Sequence, residues 1–282
     1  ERAATISAAS PGRRLPVPPV DDEIARLGAR LNEMLERLES ALERERMLVA
    51  NASHELRTPL ALLKTEIELA LDDPDSAPVL AAALRSAGEE TDRLAQLADD
   101  LLLLASVDSG TLPLRRTRVP MAQLLGAIAT RFRRRAGDAG REITVTAPPE
   151  LHALVDRRRL EQALANLVEN ALRHGAGTVR LEAADRAGEL IVQVTDDGQG
   201  FPPEFVASAF ERFSRADGSR AGAGLGLAIV AAIVKAHGGT AGATNKPSGG
   251  ARVTLAIPTP AARADETALP SDHRRSRSAE RG

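Results

Sequence analysis

The 282-residue chain has no cysteine, no tryptophan and no tyrosine. Without cysteine there is no disulfide, no thiol nucleophile and no cysteine-held metal, a pattern that fits a reducing compartment. Five phenylalanines are the only aromatic residues, which argues against stacking bases on aromatic platforms. The formal charge is −2, so no global field draws in nucleic acid or an acidic partner. Lysine occurs only at 64, 235 and 246; arginine supplies the rest of the positive charge, which reads as genome composition more than chemistry. No apolar run approaches the ~18–20 residues that span a bilayer, and no signal peptide is visible. The chain begins at Glu1 rather than methionine, which reads as a fragment or processed product. Its length suffices for two domains and a proper hydrophobic core.

Residues 10–20, SPGRRLPVPPV, are a proline-rich connector that cannot be regular helix. Asp21 and Asp22 then cap a long helical pattern in which Ile24, Leu27, Leu31, Met34, Leu38 and Ala41 recur at coiled-coil spacing. The seam continues through Val49, Ala52, Leu56, Leu60, Leu63 and Ile67. DDPDSAP at 72–78 reads as a turn. A second helical run from Val79 to Val107 carries Leu80, Leu84, Ala87, Leu94, Leu97, Leu101 and Leu104 on one face. Two long helices joined by a short turn make an αα-hairpin, and dimerisation into a four-helix bundle would bury the apolar surface a lone hairpin leaves exposed. SGTLPLRRTRVP at 109–120 reads as a linker.

Beyond it helices and strands alternate. Helices are expected at Met121–Arg135, Arg157–His174 and 224–237, and strands at 142–147, 151–155, 177–184, 189–195 and 251–257. The strands at 177–184 and 189–195 are separated by a short polar turn and should form an antiparallel hairpin. The expected fold class is therefore α + α/β: a helical hairpin forming a dimeric four-helix bundle, followed by an α/β sandwich. After Pro260 the polar tail reads as disordered.

Within the first helix, SHELRTPL (53–60) sets a histidine and an acid just before a helix-breaking proline. His54 lies about 200° from both Ala52 and Leu56 on a helix, so it points away from the stripe of 52, 56, 60 and 63. A lone histidine there is ordinarily a solvated side chain. Glu55, however, can accept the proton of one ring nitrogen and leave the other as a nucleophilic lone pair. Arg57 and Thr58 follow at i+3 and i+4 on the histidine's face. Pro59 deprives the Glu55 carbonyl of its usual amide partner and is expected to bend the helix. SHELRTPL resembles the phosphoacceptor box of bacterial two-component sensor histidine kinases. The resemblance implies that His54 is autophosphorylated, that Glu55 is its acid–base partner, and that Thr58 positions water when a partner response regulator is dephosphorylated.

Three further boxes follow in the same family's order. LANLVENALRHG (164–175) places Asn166 and Asn170 on one helix face, where carboxamide oxygens suit Mg²⁺, with Arg173 and His174 one turn on in reach of phosphate. TDDGQG (195–200) offers Asp196 to an adenine amino group, while Gly198 and Gly200 admit a close backbone. GAGLGLAIV (222–230) sets Gly222, Gly224, Leu225 and Gly226 at a helix start, where bare amides cradle phosphates. Between them, FPPEFVASAFERF holds four of the five phenylalanines. By the resemblance, Phe210 and Phe213 belong to a mobile lid; a small hydrophobic cluster is the plain alternative.

Together the boxes resemble the ATP-binding fold of histidine kinases, type II topoisomerases, Hsp90-type chaperones and mismatch-repair ATPases. The ATPases carry a glutamate base where this chain has Asn166, which implies phosphoryl transfer to protein rather than hydrolysis. Asn170 is the expected metal ligand, ATP and Mg²⁺ the expected cofactors, and a second copy and a response regulator receiver domain the expected partners. Residues 1–43 resemble a partial HAMP relay with coiled coil, 44–109 the dimerisation and phosphotransfer domain, 110–119 the linker, 120–259 the catalytic domain and 260–282 the tail. The resemblance further implies a parent anchored in the bacterial inner membrane by helices preceding Glu1, with this part in the cytoplasm. Rival readings are a scaffold that binds ATP as an allosteric ligand and an ATPase of the wider fold.

Overall fold

Heptad spacing over residues 23–72 and 77–108 dictates two long amphipathic helices. The computed structural model, which describes residues 23–72, 76–216 and 223–259, contains them as α1 (Glu23–Asp72) and α2 (Ala77–Asp108). The connector at 10–20, the caps Asp21 and Asp22, the side chains of Ile24 and Ala41, Gly222 and the tail from 260 lie outside the described residues. At 50 residues, α1 is about 75 Å long at 1.5 Å per residue. It runs through Pro59 without ending. Pro59 is itself buried, so packing holds the helix together where one backbone bond is lost.

The two helices share one seam. On α1, Ala52, Leu56, Pro59, Leu63, Glu66 and Ala70 turn inward at four–three spacing; on α2, Ala83, Ala87, Glu90, Leu94, Leu97, Leu101 and Leu104 answer them. This corrects the expected stripe: Leu60 is 52% exposed, Ile67 47%, Leu80 41% and Leu84 66%. The pattern contains two adjoining apolar seams, and one hairpin fills only one of them. The filled seam is partly polar, with Ser86 Oγ donating to Glu66 Oε1 at 2.6 Å.

The expected linker is also corrected. Its end forms β1 (Arg116–Pro120), antiparallel to β3 (His152–Asp156). A five-stranded mixed sheet follows, in the order β2 (Ile143–Thr146), β4 (Val179–Arg186), β5 (Glu189–Thr195), β7 (Ala251–Pro258) and β6 (Thr240–Asn245). Only β2–β4 is parallel, and β4–β5 is the expected hairpin. The helices α3 (Met121–Asp138), α4 (Arg157–His174) and α6 (Gly226–Ala236) cover the sheet, and a single turn, α5 (Pro203–Val206), follows the β5 end. Leu124, Leu164 and Ile233 from the helices meet Leu181, Leu190 and Leu255 from the sheet, all fully buried.

The hairpin is joined to this layer. Leu103 and Leu104 of α2 belong to the same buried core as α4 and α6. Gln162 Nε2 on α4 donates to Asp100 Oδ1 on α2 at 3.1 Å. No helix among the described residues is long and apolar enough to cross a membrane.

Candidate functional site

On α1, His54 is exposed and Glu55 half-buried. The Thr58 hydroxyl bonds back to the His54 carbonyl at 3.5 Å and that of Ser53 to the Val49 carbonyl at 2.8 Å, so both are held against their own helix. The layered domain reaches the hairpin at the end of the phenylalanine segment and just beyond it. Arg215 Nη1 lies 3.8 Å from Glu55 Oε1, and Arg212 Nη2 donates to both Asp108 oxygens at 2.6 Å near the end of α2. The surface beside His54 is thus faced by residues about 160 positions later in the chain.

α4 begins where the Asp156 carboxylate accepts the Arg159 N–H at 3.1 Å, a side-chain cap. Along it, Leu164, Leu167, Val168 and Ala171 are buried while Asn166 and Asn170 are half-exposed one turn apart. Asn166 Nδ2 donates to the Gly226 carbonyl at 3.4 Å, tying α4 to the start of α6. Arg173 lies 3.9 Å from Glu169 on the exposed side, and His174 ends the helix exposed.

The end of α4 meets the loop after β5. Asp196 is buried at 5% exposure, and its Oδ1 accepts the Gly198 N–H at 2.8 Å. A Cβ on Gly175 would lie 2.5 Å from the Asp196 carboxyl carbon, and one on Gly198 would lie 2.9 Å from Gly175 Cα and Ala176 N. Glycine at both positions is what lets the three backbones close around this carboxylate. Neighbouring Asp197 is 2.8 Å from Arg180 Nη1 and 2.7 Å from Lys246 Nζ. Those two cations hold its carboxyl well below the usual carboxylate range.

The phenylalanine and glycine segments also meet. Phe210 and Phe213 pack against the core. Gly224, at φ +66°, comes so close to Phe213 that a Cβ would sit 2.8 Å from the Phe213 carbonyl carbon. Leu225 is buried, and Gly226 opens α6 facing Asn166. The structure therefore sets residues of all three boxes along α4, with Gly224, Leu225 and Gly226 beside Asn166 and with Asp196 and Gly198 at the helix end beyond Asn170, and carries His54, Glu55 and Thr58 on the hairpin.

Several contributors had no local sequence signal. Arg141 donates from Nε to the Gly177 carbonyl at 2.8 Å and from Nη1 to the carbonyls of Ala171 at 2.8 Å, Leu172 at 3.1 Å and Gly175 at 3.2 Å. One guanidinium thus closes the end of the asparagine helix. His237 and Asp156 pin β1 and β3 to α6, as Asp156 N–H donates to His237 Nε2 at 3.0 Å and Arg116 Nη2 to the His237 carbonyl at 3.3 Å.

Among the described residues there is no group of three or more His, Asp or Glu side chains able to hold a metal. The donors present, neutral carboxamides on α4, fit an ion that arrives with phosphate oxygens and waters rather than one caged by protein.

Residues 44–110 match the family model described as His Kinase A (phospho-acceptor) domain, and 155–261 match that of the histidine kinase-, DNA gyrase B- and HSP90-like ATPases. A probable sensor histidine kinase of Mycobacterium tuberculosis is 42% identical over 214 residues, which is 75% of this chain and 53% of that protein. The solved structure of the Acinetobacter baumannii histidine kinase AdeS superposes with a TM-score of 0.61 at 26% identity, over 73% of this chain and 98% of that one. Full-length ShkA in complex with AMPPNP gives a TM-score of 0.59 at 30% identity, over 76% of this chain and 46% of that one. The chain spans about half the length of the curated relatives it matches.

Proposed function

Because the chain belongs to the sensor histidine kinases of bacterial two-component systems, we propose that it transfers the γ-phosphoryl of ATP to His54 and from there to an aspartate on a response regulator receiver domain. The observation that carries this reading is the meeting of residues 212–215, at the end of the phenylalanine segment, with the helical hairpin, through Arg215 at Glu55 on α1 and Arg212 at Asp108 on α2. That contact supports the reading because it brings the C-terminal domain beside Glu55, the neighbour of His54, and transfer by positioning needs the two halves close together.

In this mechanism Asp196 receives the adenine amino group, with Gly198 and Gly200 giving the base a close backbone. Asn166, Asn170, Arg173 and His174 face the phosphates, and Asn170 gives the Mg²⁺ ion one oxygen. The bound ion neutralises charge on the phosphates. Gly224, Leu225 and Gly226 offer bare N–H groups at the α6 start, and Phe210 and Phe213 set how the lid lies over them. One ring nitrogen of His54 attacks the γ-phosphorus as the bond to the bridging oxygen breaks and ADP leaves. The proton on the other ring nitrogen passes to Glu55. Thr58, released from the His54 carbonyl, positions water for the reverse task, dephosphorylation of the regulator.

The domain division follows: 44–109 for dimerisation and phosphotransfer, and 120–259 for catalysis, with residues 116–120 joined to it as β1. Residues 1–43 act as part of a HAMP relay from a membrane-anchored parent, which places this portion in the cytoplasm. The second apolar seam on the hairpin receives a second copy. The test is incubation with γ-labelled ATP and Mg²⁺, comparing wild type with His54→Gln. An acid-labile, base-stable label lost in the variant is expected. A label retained in His54→Gln would refute the acceptor. No label on wild type that still binds ATP would favour a scaffold, unless the chain dephosphorylates a labelled regulator.

A further inference from the structure

We propose that Asn245 is a positioning residue for nucleotide binding, through its grip on the backbone of Phe201. The inference rests on the reading of the 196–200 loop as a nucleotide-contacting loop and adds to it a residue outside every motif.

Asn245 is the last residue of β6, an edge strand. Its Oδ1 accepts the Phe201 N–H at 2.7 Å and its Nδ2 donates to the Phe201 carbonyl at 2.8 Å. The carboxamide thus occupies both hydrogen-bonding groups of one backbone residue, as a neighbouring strand would. It also lies flat on Gly200: that residue has φ +80°, and a Cβ there would be 2.5 Å from Asn245 Oδ1 and 2.8 Å from its Cγ. The next residue holds the other side of the same turn, since Lys246 Nζ is 2.7 Å from Asp197 Oδ1 with its side chain only 10% exposed. Residues 245 and 246 therefore grip the turn at both of its ends, Asp197 and Phe201.

Phe201 is where the loop after β5 passes into the phenylalanine segment, and its ring lies 5.9 Å from that of Phe205. Fixing this backbone fixes the shape of Gly198–Gly200 and the angle at which the lid departs. Only asparagine has an acceptor and a donor at this reach. Aspartate would keep the acceptor but set an anion against the Phe201 carbonyl, and glutamine is one methylene too long to lie on Gly200.

The experiment uses the 282-residue chain, with AMPPNP–Mg²⁺ titrated into wild type, Asn245→Ala, Asn245→Asp and, as a control on the same strand, Thr244→Ala. Amide exchange over 197–206 and in α4 and α6 is followed alongside. Two lost hydrogen bonds should weaken Asn245→Ala binding about tenfold, with faster exchange confined to 197–206 and the KM for ATP raised while the rate at saturation holds. Thr244→Ala should bind as wild type does. Asn245→Ala binding within twofold of wild type overturns the proposal, as does an equal loss in Thr244→Ala. If Asn245→Ala loses protection in α4 and α6 as well, Asn245→Asp decides: several-fold weaker binding in a folded chain supports the role, and unchanged binding removes it. A wild-type chain that does not bind the nucleotide would instead refute the loop's reading, and this inference with it.

Discussion

At the end of α6, His237 is 2% exposed and uses both ring nitrogens. Nδ1 donates to the Ile233 carbonyl at 2.8 Å and Nε2 accepts the Asp156 N–H at 3.0 Å, which requires the neutral ring. Burial pushes its pKa below the ordinary value; Arg116 reinforces the shift, while the Ile233 carbonyl and Asp156 oppose it. The unfolded chain takes up this proton near pH 6.5 and the folded chain resists it, so stability falls as pH drops below about 6.5. For Asp156, burial raises the pKa but the N–H groups of Arg115 and Arg159 outweigh it and hold the carboxyl below its usual value. Its contribution is lost further into acid, in the same direction. The contribution of His237 to the melting temperature should therefore fall between pH 7.5 and 5.5, so His237→Gln should lose less stability than wild type over that window while costing about 1–3 kcal/mol at pH 7.5. An equal loss in the variant would refute the account. Residues of this kind were not legible in the sequence, because their partners lie 81 positions away for His237, 44 for Asn245 and 30 for Arg141. His54, Asn170 and Asp196 could be singled out as candidates because their short boxes stand in one order along the chain.

Among the elements, α4 was read to its ends, since an apolar stripe, an aspartate cap and a terminal glycine all agree over 157–174. Strand β6, TAGATN, was missed: it offers no bulky residue to alternate and survives as an edge beside β7. Strand β1 was hidden by three arginines and a proline in six residues, with only Val119 buried. The joint between α2 and α4 makes its own prediction. Burial raises the Asp100 pKa to about 6, assisted by Asp99 and opposed by hydrogen bonds from Gln96 and Gln162. The folded chain binds this proton more tightly than the unfolded one, so above pH 6 the charged carboxylate costs stability, and the cost fades as pH falls toward the unfolded value of 3.8. Asp100→Asn keeps the acceptor oxygen and sheds the charge. It should melt higher than wild type at pH 7.5, with the difference closing toward pH 4, the opposite trend to His237. A constant difference across that range would remove the electrostatic explanation.

The whole molecule carries apolar surface that one chain does not use. Leu27, Met34 and Leu38 are 67%, 57% and 55% exposed along the early part of α1, and Leu60, Ile67 and Leu71 are 52%, 47% and 69% exposed lower down. Leu84 on α2 is 66% exposed. The early positions form one stripe in register with the seam of Ala52, Leu56 and Leu63, and the later ones lie beside that seam; apolar stripes on a helix this long are stable chiefly when packed against another. A second copy would convert two hairpins into a four-helix bundle and a coiled coil above it. Fully burying one such leucine contributes about 1.5–3 kcal/mol, and a glutamate in its place would set a charge in the seam. We therefore expect Leu84→Glu to turn a dimer into a monomer by light scattering at micromolar concentration, with AMPPNP binding retained because Leu84 is far along α2 from the nucleotide loop. A wild-type chain that is monomeric, or a Leu84→Glu chain that stays dimeric, would show that this seam does not hold two copies together.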